Sequence, residues 1–122
     1  MSETILHIAL REAWKTAQEQ GQYISPSLTS DGFIHCSTLA QVLSVAEKFY
    51  KGQTGLILLV IDSARLSSEL KWEPPFDGSP PPEVPVSDTF PHVYGPINLD
   101  AIVQTIDFEP TAEGKFILPK VL

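Results

Sequence analysis

Leu56-Ile57-Leu58-Leu59-Val60-Ile61, bounded by Gly55 and Asp62, decides the fold. The run is too short for a buried helix and far short of the ~20 apolar residues a membrane-spanning helix needs. It is rich in β-branched side chains, so it reads as a strand at the centre of a sheet, covered on both faces. Two helical patterns precede it and mostly strand-like segments follow it. That order predicts an α+β fold and not an alternating α/β one.

Upstream, residues 5–10 form a short strand in which Leu6, Ile8 and Leu10 share one face while Ile5, His7 and Ala9 share the other. Residues 11–20 follow with Leu10, Ala13, Trp14 and Ala17 at helical spacing, and Gly21 stands where a left-handed terminating residue is needed. Ser25-Pro26-Ser27 and Ser30-Asp31-Gly32 read as loop and turn signals. In the next strand, Phe33, His35 and Ser37 alternate with Ile34 and Cys36. Thr38 with Gln41 three residues later matches a capping box, and Leu39, Val42, Leu43, Ala46, Phe49 and Tyr50 make the apolar stripe of a second helix ending at Gly52.

Downstream, residues 70–73 predict a weaker strand and residues 101–108 a good one. Val93-Tyr94 begins another extended piece, broken by Gly95-Pro96, and residues 115–119 read as an edge strand ended by Pro119. Most of the eleven prolines fall between Pro74 and Pro91, which predicts a surface loop over 74–91 long enough to cover something. Residues 1–122 are the size of one domain with its own core.

The chain has 43% apolar and 19% charged residues, a globular balance. A net charge of -7, with eight Lys and Arg, argues against nucleic-acid and anionic-membrane partners, which require basic surface. Cys36 is the single cysteine, which fits a reducing compartment. Met1-Ser2-Glu3-Thr4 lacks the basic and apolar regions of a signal peptide, so the expected location is the cytoplasm.

The candidate site rests on three histidines, His7, His35 and His92, expected to line one polar cleft. His35 and Ser37 would stand beside the N-terminus of the helix that Thr38 caps, where unpaired amides attract a phosphate or carboxylate. The alternative is that Ser37 only helps cap that helix. His7 is the one polar break in an apolar strand, either a satisfied core histidine or a partner for His35. His92 and Tyr94, stiffened by Pro91 and Pro96, read either as a wall for a flat ring or as a loop anchor. Glu73 stands at a strand end beside the loop. A zinc or iron site is disfavoured: no two histidines lie two or four apart, and no acidic companion is read at such spacing. Cys36 alternates toward the core, where thiols are inert.

Ile5-Leu6-His7-Ile8 with Trp14, then Gly32-Phe33-Ile34-His35-Cys36-Ser37, then Phe90-Pro91-His92-Val93-Tyr94-Gly95-Pro96-Ile97-Asn98-Leu99-Asp100, together resemble the bacterial family known as domain of unknown function 952. That family resembles the ADP-ribosyltransferase superfold. The resemblance implies a compact split sheet, mixed or antiparallel, with two N-terminal helices, clamping NAD as a possible substrate. It makes His7 and His35 the catalytic pair and offers His92-Val93-Tyr94 or the strand from Ala101 for a third element, with no clear Glu at that position. The residue reading adds Ser37, Thr38, Glu73, His92 and Tyr94 as nucleotide-binding candidates, and no metal is expected. The expected function is binding NAD or a related nucleotide, with transfer or processing of ADP-ribose, as an ADP-ribosyltransferase-like transferase. The alternatives are a non-catalytic nucleotide- or acid-binding module and a histidine-ligated metal enzyme.

Overall fold

The computed structural model describes residues 4–73 and 89–119. In chain order these form β1 (Thr4–Leu10), α1 (Arg11–Gln20), β2 (Gln22–Tyr23), α2 (Pro26–Ser30), β3 (Ile34–His35), α3 (Val42–Phe49) and β4 (Leu56–Asp62), then β5 (Leu70–Glu73), β6 (Phe90–Val93), β7 (Ile97–Asn98) and β8 (Ile102–Asp107). The strands pair as three antiparallel sheets, β1-β4-β8, β2-β7 and β3-β6-β5. The fold is therefore α+β with antiparallel sheets and few helices.

β4 lies between β1 and β8, and all of residues 56–61 are buried, as the unbroken apolar run predicts. Alternation splits those residues between two cores. Ile57, Leu59 and Ile61 join Ile5 and Ala9 of β1, together with Tyr23, Ile34, Cys36, Val93 and Ile97 from the smaller sheets. Leu56, Leu58 and Val60 join Leu6 and Ile8, Val42 and Ala46 of α3, and the stacked rings of Phe108 and Phe116. The large sheet is thus a middle layer, with α3 and the tail on one side and α1 with the small sheets on the other. A main-chain bridge, Leu6 to Ser37 with both bonds at 2.7 Å, stitches β3 to the large sheet.

Several expectations are corrected. The two N-terminal helices are three, because Ser25-Pro26 opens α2: the Ser25 hydroxyl accepts from the Ser27 amide and proline occupies the first turn. The second expected helix begins at Val42 and not at Thr38. Residues 38–41 form a turn in which the Thr38 carbonyl takes the amides of both Gln41 and Val42. Half of the capping box forms, with Gln41 Oε1 accepting from the Thr38 amide at 3.0 Å. Leu39 and Phe49, assigned to the buried stripe, are exposed.

The tail at 115–119 is not a strand. It is tied by Thr111–Lys115 main-chain bonding, and it buries Phe116 while exposing Ile117. The expected loop over 74–91 overlaps β6, since Phe90 and Pro91 belong to a strand lying between β3 and β5. Pro91 is tolerated there because its carbonyl accepts from Cys36 past the end of β3, so its missing N–H faces a side where the short strand has stopped. Residues 74–88 of that loop lie outside the described residues.

Candidate functional site

β3 and β6 are paired so that His35 lies directly opposite His92. Opposed residues in an antiparallel pair project from the same face, and the two imidazoles meet edge to face at 5.5 Å. On the other side of β6, His92 is opposite Lys71, and Glu73 follows two residues along β5. Period-two alternation adds Phe33 and Tyr94 to this face. Phe33 stacks on His92 at 4.1 Å, and its centroid lies 4.7 Å from His35 and 5.3 Å from Tyr94. The opposite face, with Ile34, Cys36 and Val93, enters the core. Cys36 is inert for that reason, since burial pushes its thiol far up.

Each imidazole on this face is held by a carboxylate. Asp31 Oδ2 lies 2.8 Å from His35 Nε2, and Glu73 Oε1 lies 2.9 Å from His92 Nδ1. The Tyr94 hydroxyl donates to the same Glu73 oxygen at 2.5 Å. These bonds, Tyr94 first and His92 second, hold the Glu73 carboxyl below its usual range. Reciprocally, the bond to Glu73 raises the Tyr94 phenol. Burial lowers His92, and the attraction of Glu73 offsets this only in part. At neutral pH the arrangement is a carboxylate, a protonated phenol and a neutral imidazole. A carboxylate only accepts, so the His92 proton sits on Nδ1 and the lone pair on Nε2. Lys71 Nζ stands 4.9 Å over the Tyr94 ring and places one cation beside this group.

His7 is placed differently from the expectation. Its ring is buried and meets His35 at the main-chain carbonyl. His7 Nδ1 donates to the His35 carbonyl at 2.5 Å, and Nε2 accepts from the Tyr23 hydroxyl at 2.8 Å. Burial pushes its pKa down to about 4, so it is neutral at pH 7. His7 therefore fixes the main chain that carries His35 and presents no nitrogen to a ligand.

Ser37 and Thr38 are also displaced from the expected anion site. Ser37 is buried in the bridge to Leu6, and the Thr38 amide is taken by Gln41. Gln41 also donates to the Thr89 carbonyl at 2.7 Å, which ties this turn to the start of β6. The structure thus brings together His35, His92, Glu73 and Tyr94 and leaves His7, Ser37 and Thr38 as supports. Asp31 was legible but passed over: it lies four residues before His35, which overturns the reading that no acidic residue accompanies a histidine at that spacing. Lys71 left no local signal; only the β5–β6 register brings it in.

Among the described residues, no three His, Cys, Asp or Glu side chains converge as a metal-holding group. None of the described helices is long and apolar enough to cross a membrane. A surface depression of about 320 Å³ lined by Leu10, Arg11, Glu12, Thr54 and Gly55 contains none of the expected site residues.

The geometry defines an α+β protein with a carboxylate-anchored histidine pair on the face of a small antiparallel sheet. The chain belongs to the family described as protein of unknown function (DUF952), whose model matches residues 8–105. It is similar to protein CC0527 from Caulobacter crescentus. The crystal structure of that protein is 32% identical, covers 94% of each chain and superposes with a TM-score of 0.79. Its solution NMR structure is 31% identical, covering 98% of this chain and 96% of that one, with a TM-score of 0.76. No protein of curated function matches the chain.

Proposed function

We propose that the face carrying His35, His92, Glu73 and Tyr94 binds NAD or a related nucleotide and transfers or processes ADP-ribose there. The observation that carries this reading is the pair of adjacent imidazoles, 5.5 Å apart, each backed by its own carboxylate. Breaking a nicotinamide–ribose bond develops positive charge on the sugar, and the carboxylates of Asp31 and Glu73 give the face the sign that favours it. Tyr94 and His35, the less buried rings of the cluster, offer edges to a flat base, and Lys71 offers one cation to a phosphate. Such a site works mainly by orientation. The resemblance to the ADP-ribosyltransferase superfold supports the same substrate class. The sparse Lys and Arg content fits a small nucleotide better than RNA.

The test is a calorimetric and thermal-shift titration against NAD, ADP-ribose and simple nucleotides. Saturable binding is expected, weakened about 10-fold or more in His35→Ala, equivalent to about 1.4 kcal/mol, with an unchanged melting curve for the free protein. Absence of saturable NAD binding at millimolar ligand would remove the proposal. Binding without release of nicotinamide would make the chain a nucleotide-binding module and not a transferase.

A further inference from the structure

We propose that His92 Nε2, with Glu73 and Tyr94 behind the ring, is the base that takes the proton of an attacking hydroxyl, making water or an alcohol the acceptor. The inference rests on the nucleotide reading above and assigns a chemical role within that site.

Three observations carry it. First, Glu73 is unsuited to be the base itself: the Tyr94 hydroxyl and His92 Nδ1 both donate to its Oε1, and those bonds stabilise the ionised carboxylate. Second, the same bonds fix the His92 tautomer, so its lone pair is on Nε2, which has no hydrogen-bond partner among the described residues. Third, no described side-chain nitrogen or oxygen is both buried and unpartnered, so Nε2 belongs to the small part of His92 that reaches the surface. His7 provides the contrast, because both of its nitrogens are bonded. An imidazole oriented by a carboxylate on one nitrogen and open on the other has the form of a general base.

The hydroxyl oxygen forms a bond to the ribose anomeric carbon as the bond from that carbon to the nicotinamide nitrogen breaks. The electron pair of the broken bond stays on the pyridinium nitrogen and neutralises it. The hydroxyl proton passes to His92 Nε2 and then to solvent. No oxidant or metal takes part.

Among the described residues, the charged and titratable groups around His92 are Glu73 and Lys71 on β5, Tyr94 just after β6, and His35 on β3 with Asp31 before it. Glu73 and Tyr94 act as positioning residues. The experiment combines ring-nitrogen NMR of the free protein at neutral pH with nicotinamide release measured in water and in water–methanol. The proton of His92 is expected on Nδ1 with Nε2 bare, and methanol is expected to divert product to the methyl glycoside. His92→Gln is expected to lower kcat about 100-fold or more with NAD affinity retained. Glu73→Gln is expected to lower kcat and to move the acidic limb of its pH profile to lower pH, because the carboxylate's upward pull on His92 is gone. A wholly structural role would leave that limb in place.

Turnover in His92→Gln equal to that of the unmodified protein would overturn the proposal. So would an Nε2-protonated ring at neutral pH, whether or not NAD binds. Failure of NAD to bind the unmodified protein would remove the nucleotide reading. The base assignment would fall with it, whereas an Nε2-protonated ring in a protein that does bind NAD would overturn the base assignment alone.

Discussion

The large sheet and the β3-β6-β5 sheet place their histidines in opposite circumstances. In the large sheet, β1 and β4 pair over seven residues, both faces are apolar, and His7 is bonded at both nitrogens. In the small sheet, β3 pairs with β6 over two residues, one face is apolar and the other carries rings and carboxylates. His92 is even less exposed than His7, yet one of its nitrogens is left without a partner among the described residues. Burial alone does not distinguish a structural histidine from a chemical one. The accounting of both nitrogens does.

The sharpest way to break this division is to damage one sheet and read the other. Leu58→Ala, in the fully buried centre of β4, should cost about 2–5 kcal/mol of unfolding free energy, from lost burial plus the cavity left behind. Denaturant melts would measure this, and the NMR signals of His35 and His92 in the folded fraction should not move. Signals that shifted as much as those around Val60 would mean that the two sheets are one cooperative site.

Acid titration gives the next effect. The pKa of His7 falls from 6.5 to about 4 on folding, so the unfolded chain binds its proton more readily. The stability from keeping His7 neutral is fully present above pH 6.5. It is lost as pH falls toward 4, by roughly 3 kcal/mol in all. His92 is lowered as well and adds in the same direction. Denaturation midpoints measured across this range should fall steadily. A flat profile would contradict the buried, neutral assignment of His7.

Tyr23→Phe should have the smallest effect, about 1–3 kcal/mol, because it leaves His7 Nε2 buried without its donor. Thermal melts would read the loss, and ring-nitrogen shifts should change at His7 and not at His92. A change confined to His92 would reverse the roles given to the two histidines.

The fold was legible where period and length agreed. The run at 56–61 could only be a doubly covered strand, and Gly21, at φ 84, ended α1 where its sequence position implied. Legibility failed where one residue serves two functions. Ser25-Pro26 reads equally as a turn or as a helix start, and Thr38 with Gln41 formed half of a capping box on a turn preceding the helix. Of the site, His35, His92, Tyr94 and Glu73 were named from the sequence, but their grouping depends on strand register, which a two-residue strand does not encode locally. His7 was linked to His35 because each is a polar break in an apolar strand, and the family resemblance reinforced the pairing. Only the structure distinguishes a ring that reaches the main chain of His35 from one that faces the same ligand.

The most direct measurement is an amide and side-chain NMR titration with NAD, mapped onto the sequence. The account predicts saturable shifts centred on Phe33, His35, Lys71, Glu73, His92 and Tyr94, with β8 and the depression at Leu10, Arg11 and Gly55 unaffected. No saturable shift at millimolar NAD, or shifts gathered at that depression instead, would contradict it.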